Sequence, residues 1–260
     1  MKAITVETKR GARVRVLEGG EGQPLVFLHG AGGLFAENPF LDRLAKHYRV
    51  YAPELPGYGE STGEDHLREM LDFALHGWDV VEKLGLDRPY LMGHSMGGMI
   101  AAEMACVAAN DLAKLILVDA AGLWLPEHPI PDLFALLPFE FAKLLFHDQA
   151  VGAAMLTGGL DFSDVNAVAE FYIGNAKNMG VAGKILFPIP NRGLSRRLYR
   201  LKAETAIFWG ASDKLTTPEY ARAWKALLPH ARLVTFEAAG HMLPYEKPEE
   251  FCQAVHEFLG

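Results

Sequence analysis

Residues 91–98 read Leu-Met-Gly-His-Ser-Met-Gly-Gly, and this stretch decides the fold. Ser95 has a glycine two residues away on each side, which is the G-x-S-x-G spacing of a serine at a sharp turn between a strand and a helix. The backbone of such a turn is strained and its flanks come close together, so glycine fits best at positions 93 and 97. A pattern this short also arises by chance, so its meaning depends on the elements around it.

Strands and helices alternate on both sides of this turn. Before the turn, a fully apolar run at 25–28 predicts a buried strand. The chain that precedes this run alternates in the manner of antiparallel strands at 4–7 and 12–17. The remaining strands are predicted at 49–52, 89–92, 115–118, 206–209 and 233–236, and the helices at 40–48, 67–84, 96–107, 218–228 and 248–259. This alternation predicts an α/β fold with a mostly parallel central sheet and helices on both faces.

The middle third of the chain breaks the alternation. Residues 123–200 are largely apolar, helical in places and rich in proline, without a strong strand pattern. We therefore predict a core formed by 1–122 and 201–260, with 123–200 inserted between two core strands as a helical cap.

Composition limits the partners. The chain has 260 residues, of which 50% are hydrophobic and 22% charged, and its formal net charge is −7. Such a composition is ordinary for one large globular domain, and no basic run is long enough to predict a nucleic-acid surface. The densest basic stretch holds Arg192, Arg196, Arg197 and Arg200. It is interpreted as a solvated or salt-bridged surface, with contact to an anionic substrate group as the alternative.

Location and cofactors follow from what the sequence lacks. The start of the chain has no long apolar stretch typical of a signal peptide, and no apolar run reaches the length of a membrane span. Cys106 and Cys252 do not stand in a metal-binding or disulfide-rich spacing, and they are interpreted as buried thiols. No His-x-x-x-His, His-Glu-x-x-His or G-x-G-x-x-G pattern occurs. We expect a cytoplasmic protein without metal or cofactor, either a monomer or a homodimer.

With these elements in place, the chain resembles the α/β-hydrolase family over nearly its whole length. Asp213 follows the strand at 206–209 in Gly-Ala-Ser-Asp, and His241 follows the last strand in Gly-His-Met-Leu-Pro. The resemblance implies that Ser95 is the nucleophile, Asp213 the acid and His241 the base, in the family's chain order. A serine hydroxyl needs such a base, and a carboxylate fixes the tautomer of the imidazole. Asp119 is the alternative acid, because it follows the strand predicted at 115–118 and some members of the family carry the acid there.

The resemblance also implies an oxyanion hole. One donor is the N–H of Met96, at the start of the helix that follows the turn. The other is expected from the loop His-Gly-Ala-Gly-Gly at 29–33, with the N–H of Ala31 as first choice and Gly32 as second. His29 and His94 flank this backbone and are interpreted as structural residues.

The expected substrate is a small apolar ester or ketone, because the predicted cap is rich in aromatic and aliphatic residues. Trp124 and Met242 stand next to the ends of core strands and are the predicted lining residues. The main hypothesis is hydrolysis of a carboxylic ester through an acyl-enzyme on Ser95, and lactone hydrolysis is a close variant of it. The alternatives are a C–C bond hydrolase acting on a meta-cleavage product and a non-catalytic hydrolase-like receptor. The C–C branch usually has a different oxyanion loop and a tryptophan soon after the final histidine.

Overall fold

A computed structural model describes residues 1–188 and 191–260 of the chain. The described residues form eight strands that build one sheet. The strands are β1 (Lys2–Glu7), β2 (Arg13–Gly19), β3 (Pro24–Leu28), β4 (Arg49–Pro53), β5 (Tyr90–His94), β6 (Lys114–Val118), β7 (Glu204–Gly210) and β8 (Arg232–Phe236).

The sheet is mostly parallel. Its strand order is β1-β2-β4-β3-β5-β6-β7-β8. β1 pairs antiparallel with β2, and β2 pairs antiparallel with β4, whereas all the other neighbouring strands run parallel. The carboxyl ends of β5, β7 and β8 therefore lie at the same edge of the sheet, where open α/β folds place their sites.

The α-helices of the described residues flank this sheet. They are α1 (Pro39–Leu44), α2 (Met70–Lys83), α3 (Met96–Val107), α4 (Phe141–Leu145), α5 (Gln149–Thr157), α6 (Val165–Leu186), α7 (Pro218–Leu227), α8 (Leu243–Glu246) and α9 (Pro248–Leu259). α3 and α9 span the predicted ranges. α2 starts three residues later than predicted, because the Asp72 carboxylate accepts the backbone N–H groups of Arg68 and Glu69 and caps the helix there.

Helices pack on both faces of the sheet. Along β6, Leu115 and Leu117 contribute to one buried cluster, which includes residues of α2, α3 and α7. Ile116 and Val118 face the opposite side and join a second cluster with residues of α1 and α9. This alternation follows from the period of two in a strand. The predicted α/β-hydrolase fold, with its mostly parallel sheet and helices on both faces, is confirmed.

The residues predicted as a cap lie between β6 and β7 and include α4, α5 and α6. α6 begins where the Asp164 side chain accepts two backbone N–H groups. Its carboxyl-terminal half is buried through Val181, Ala182 and Ile185, whereas its amino-terminal half is largely exposed. The division into core and cap stays a prediction.

The structure also shows whether a helix could span a membrane and where the two cysteines lie. In the ranges 1–188 and 191–260, no helix combines the length and the hydropathy needed to cross a membrane. Cys106 and Cys252 are free thiols, the first buried and the second partly buried. Burial raises the pKa of Cys106 to about 11 and that of Cys252 to about 12, so both thiols are neutral at pH 7.

Candidate active site

Ser95 occupies the turn between β5 and α3 in a strained backbone conformation. Its φ is 55° and its ψ is −118°, a region that residues with a side chain rarely adopt. A Cβ at Gly93 would lie 2.2 Å from the carbonyl oxygen of Gly97, and a Cβ at Gly97 would lie 2.1 Å from that of Leu28. The two glycines of the G-x-S-x-G pattern are therefore required by close backbone packing.

The turn brings Ser95 into contact with His241 and, through it, with Asp213. Ser95 Oγ lies 2.8 Å from His241 Nε2, and His241 Nδ1 lies 2.8 Å from Asp213 Oδ2. All three side chains are buried. With the Nδ1 proton held by the carboxylate, Nε2 is free to accept the proton of the serine hydroxyl.

Asp213 is held in place by the residues that follow it. Its Oδ1 accepts the backbone N–H groups of Leu215 at 2.8 Å and Thr216 at 3.0 Å. The hydroxyl of Thr216 donates to Oδ2 at 2.8 Å and lies 3.2 Å from His241 Nδ1. Thr216 was not predicted from the sequence, although an aspartate that accepts the backbone N–H two residues on, as Asp213 does, is a known turn signal.

Asp119, the alternative acid, lies behind Asp213 rather than against His241. Its Oδ1 accepts the N–H of Gly210 at 2.8 Å, and Oδ2 is buried with no hydrogen-bond partner among the described residues. Burial, followed by the charge of Asp213, raises the pKa of Asp119 well above its usual range. Asp213, and not Asp119, is therefore the carboxyl group that contacts the histidine.

The predicted oxyanion donors stand beside Ser95. A Cβ at Gly30 would lie 3.2 Å from the Cβ of Ser95, so the loop at 29–33 passes directly over the serine. Within the described chain, neither the N–H of Ala31 nor that of Met96 donates to a protein acceptor. The N–H of Met96 is also the first of α3, where the helix dipole favours negative charge. The N–H of Gly32, the second choice, is adjacent along the same loop.

His29 and His94 support this backbone as neutral side chains. His29 Nε2 accepts the N–H of Leu55 at 3.0 Å, and its Nδ1 donates to the carbonyl of Gly30 at 2.8 Å. His94 Nε2 donates to the carbonyl of His241 at 2.7 Å. Burial lowers the pKa of His29 to about 4 and that of His94 to about 3.

Two chambers meet at Ser95. The large chamber, of about 310 Å³, is bounded by the loop at 29–33, His241, Met242 and the inner face of α6. The small chamber, of about 190 Å³, is bounded by Trp124, Thr216 and residues of the inserted segment. Most of the lining is apolar, including Phe35, Leu133, Phe141, Leu156, Phe171 and Leu215. The predicted lining residues Trp124 and Met242 thus lie in different chambers.

In the part of the chain that the structure describes, no lysine or arginine lines either chamber. The arginines between 192 and 200 serve elsewhere: Arg192 donates to the carbonyls of Ile185 and Lys184, and Arg197 Nε donates to Glu103 at 2.8 Å. The structure thus favours the salt-bridged interpretation of this basic stretch. Glu170 and Asn175, both on α6, are polar residues of the large chamber.

No group of three or more His, Cys, Asp or Glu side chains in residues 1–188 and 191–260 is arranged to hold a metal ion. The reactive groups around Ser95 are a hydroxyl, an imidazole, a carboxylate and backbone amides. This set is suited to acyl transfer through a serine nucleophile.

The chain belongs to the alpha/beta hydrolase fold family, whose model matches residues 23–248, and it is a hydrolase. It is 29% identical over 267 residues to the 2-hydroxy-6-oxo-6-phenylhexa-2,4-dienoate hydrolase of Comamonas testosteroni, covering 93% of this chain and 89% of that one. It is 27% identical over 270 residues to Lipase 1 of Psychrobacter immobilis, covering 99% and 83%. A solved membrane phospholipase A superposes with a TM-score of 0.82 at 26% identity, covering 99% and 85%.

Proposed function

We propose that this hydrolase cleaves uncharged carboxylic esters with apolar groups through an acyl-enzyme on Ser95. Ser95 Oγ attacks the ester carbonyl carbon while His241 Nε2 takes the hydroxyl proton, and Asp213 stabilises the imidazolium. The carbonyl oxygen becomes an oxyanion that accepts hydrogen bonds from the N–H groups of Ala31 and Met96.

The reaction is completed in two stages. The tetrahedral intermediate collapses to the acyl-enzyme as the C–O bond to the alcohol breaks and His241 gives its proton to the leaving oxygen. Water, deprotonated by the same imidazole, next attacks the acyl carbon to form a second tetrahedral intermediate. Its bond to Ser95 Oγ breaks, His241 returns the proton to Oγ, and the carboxylic acid is released. The hydrogen-bond distances of 2.8 Å on both sides of His241 support both proton transfers.

One observation carries the choice of a neutral ester: the described lining of both chambers is mostly apolar and lacks lysine and arginine, and its Asp132 and Glu170 are acidic. Burying a carboxylate without a cationic partner costs several kcal/mol. Glu170 in the lining of the large chamber adds repulsion against an anion. A neutral acyl or alcohol group carries no such penalty, so the substrate class follows from the charge of the lining.

A C–C bond hydrolase is the second candidate, because the relative from Comamonas testosteroni is named for a dienoate. A dienoate carries a carboxylate, which the described chambers do not pair with a cation. Lactones are uncharged and remain a variant of the main proposal. We also propose that 123–200 acts as the cap over Ser95, since residues of α4, α5 and α6 line the large chamber.

Two experiments test the proposal. A fluorophosphonate should label the wild-type protein covalently at Ser95, with Ser95→Ala as the unlabelled control, and absence of labelling on folded protein would refute the activated serine. A panel of p-nitrophenyl esters of rising chain length should then be compared with a meta-cleavage dienoate and the methyl ester of that dienoate. We expect the esters to have the higher kcat/KM, and preference for the free dienoate would move the assignment to C–C hydrolysis.

A further inference from the structure

Two side chains tie α6 of the inserted segment to the loop that carries Ala31. Asn178 Nδ2 donates to the carbonyl of Gly32 at 2.9 Å. The hydroxyl of Tyr58 lies 3.1 Å from the carbonyl of Ala31 and 2.9 Å from that of Asn178, so its single proton is shared between the loop and α6. The loop, Tyr58 and α6 therefore form one connected group of hydrogen bonds.

This connection is closely packed. Tyr58 is 1% exposed, and its ring lies against His29 with the ring centroids 4.6 Å apart. A Cβ at Gly33 would lie 3.1 Å from Cδ1 of Tyr58 and 3.5 Å from Nδ2 of Asn178, so the loop fits between these two side chains. Such packing leaves little room for the loop to move while α6 is docked.

The loop needs external support because of its composition. Gly30, Gly32 and Gly33 surround Ala31, and a backbone of glycines has wide conformational freedom of its own. An oxyanion donor must sit about 2.7–3.1 Å from the developing charge, and a misplacement of about 1 Å can cost 10²-fold in rate. Within the loop, the carbonyl of Gly30, in the peptide group that carries the N–H of Ala31, accepts the N–H of Gly33 at 3.1 Å. The contacts from outside, made to the carbonyls of Ala31 and Gly32, fix where the loop lies relative to Ser95.

We propose that Tyr58 and Asn178 are positioning residues that hold the loop carrying the N–H of Ala31 in place beside Ser95, so that docking of α6 completes the oxyanion hole. This inference rests on the proposed function, because it assigns a donor role to Ala31. Tyr58 does not line either chamber, whereas Asn178 lines the large chamber and donates its amide N–H to the carbonyl of Gly32. The effect of Tyr58→Phe should therefore not depend on which acyl chain is bound.

The test uses Tyr58→Phe, which keeps the ring, and Asn178→Ala, each assayed with p-nitrophenyl acetate and with longer esters. Lys184→Met is the matched control: Lys184 also lies on α6 and donates to a backbone carbonyl of the core, that of Glu64 at 2.6 Å, but it does not touch the loop. We expect kcat to fall about tenfold in both loop variants. In Tyr58→Phe the loss should be equal at every chain length, with KM within about twofold of wild type. The control should retain wild-type kcat.

The double variant adds a second measurement. Because both side chains hold the same loop, the combined loss in kcat should be smaller than the product of the two single losses. A loss confined to KM, a loss in Tyr58→Phe that varies with chain length, or an equal loss in Lys184→Met would overturn the positioning role. So would unchanged kcat in both loop variants.

The rate of fluorophosphonate labelling separates this inference from the function on which it rests. Wild-type protein that labels at Ser95 while the loop variants label at the same rate refutes the positioning role alone. If the wild-type protein fails to label, both the proposed function and this inference are refuted. Thermal unfolding of each variant shows whether a loss of rate comes from loss of folded protein.

Discussion

Replacing Asp213 and Asp119 by asparagine should have very different effects on turnover. In Asp213→Asn, the fixed backbone N–H groups of Leu215 and Thr216 demand an acceptor at the Oδ1 position. The new amide must therefore place its oxygen there and turn its NH₂ group toward His241. Nδ1 of His241 then has to accept, which moves the imidazole proton to Nε2 and blocks proton transfer from Ser95.

The magnitude follows from the tautomer. We expect kcat to fall by about 10³–10⁴-fold in Asp213→Asn, which corresponds to about 4–5.5 kcal/mol of lost transition-state stabilisation. In Asp119→Asn, the amide oxygen keeps the hydrogen bond from the N–H of Gly210, and the hydrogen bond between Asp213 and His241 is left in place. That variant should stay within about threefold of wild type, or about 0.7 kcal/mol.

The assay is steady-state hydrolysis of p-nitrophenyl butyrate together with the rate of fluorophosphonate labelling, and circular dichroism verifies the fold of each variant. Labelling isolates the attack by Ser95 from later steps. If Asp119→Asn lost as much activity as Asp213→Asn, or more, the role of acid would move to Asp119 and the assignment based on the 2.8 Å contact with His241 would be wrong.

Three further predictions concern stability. Burial beside Asp213 raises the pKa of Asp119 in the folded chain, so above about pH 4 the folded chain holds a proton that the unfolded chain releases. The stability of wild type should therefore fall as the pH rises above about 4, and urea unfolding should show that Asp119→Asn removes this part of the pH dependence. Arg197→Met leaves Glu103 buried without its partner, so it should lower the free energy of unfolding in urea by about 3 kcal/mol. The KM for neutral esters should stay unchanged, and a raised KM would contradict the structural role of this arginine. Gly97→Ala should yield little folded protein, as judged by soluble expression and circular dichroism, because its Cβ would lie 2.1 Å from the carbonyl oxygen of Leu28. A folded and active variant would contradict the close packing of the turn.

The strands and core helices could be predicted because their periodicity is local. Each apolar run of the parallel sheet is bounded by turn residues, and α3 and α9 carry apolar residues at helical spacing, so both matched the structure. The start of α2 could not be predicted, since it depends on the capping contacts of Asp72. The 22-residue α6 was also missed, because its exposed half lacks an amphipathic pattern.

For the site, chain order and motif context were sufficient to nominate Ser95, Asp213 and His241, which the structure places in contact. Thr216, Tyr58 and Asn178 were not predicted as site residues. The contact of Thr216 with Asp213 is local and spans three positions. The contacts of Tyr58 and Asn178 join distant residues, up to 146 positions apart between Asn178 and Gly32, and no local pattern encodes such a pairing. The raised pKa of Asp119 could not be predicted either, because it depends on burial beside a second carboxylate.

At Ser95, the residue that supplies the nucleophile also lowers the stability of the fold, because its backbone φ is positive. Holding a residue with a Cβ at a φ of 55° costs about 1–3 kcal/mol, and glycine relieves most of this strain while adding some freedom to the unfolded chain. Ser95→Gly should therefore have a free energy of unfolding about 1 kcal/mol higher than wild type, and unfold at a higher temperature, while having no nucleophile. A directed-evolution screen that rewards heat resistance alone would favour this substitution, so any stabilisation of this enzyme has to be selected under a requirement for turnover.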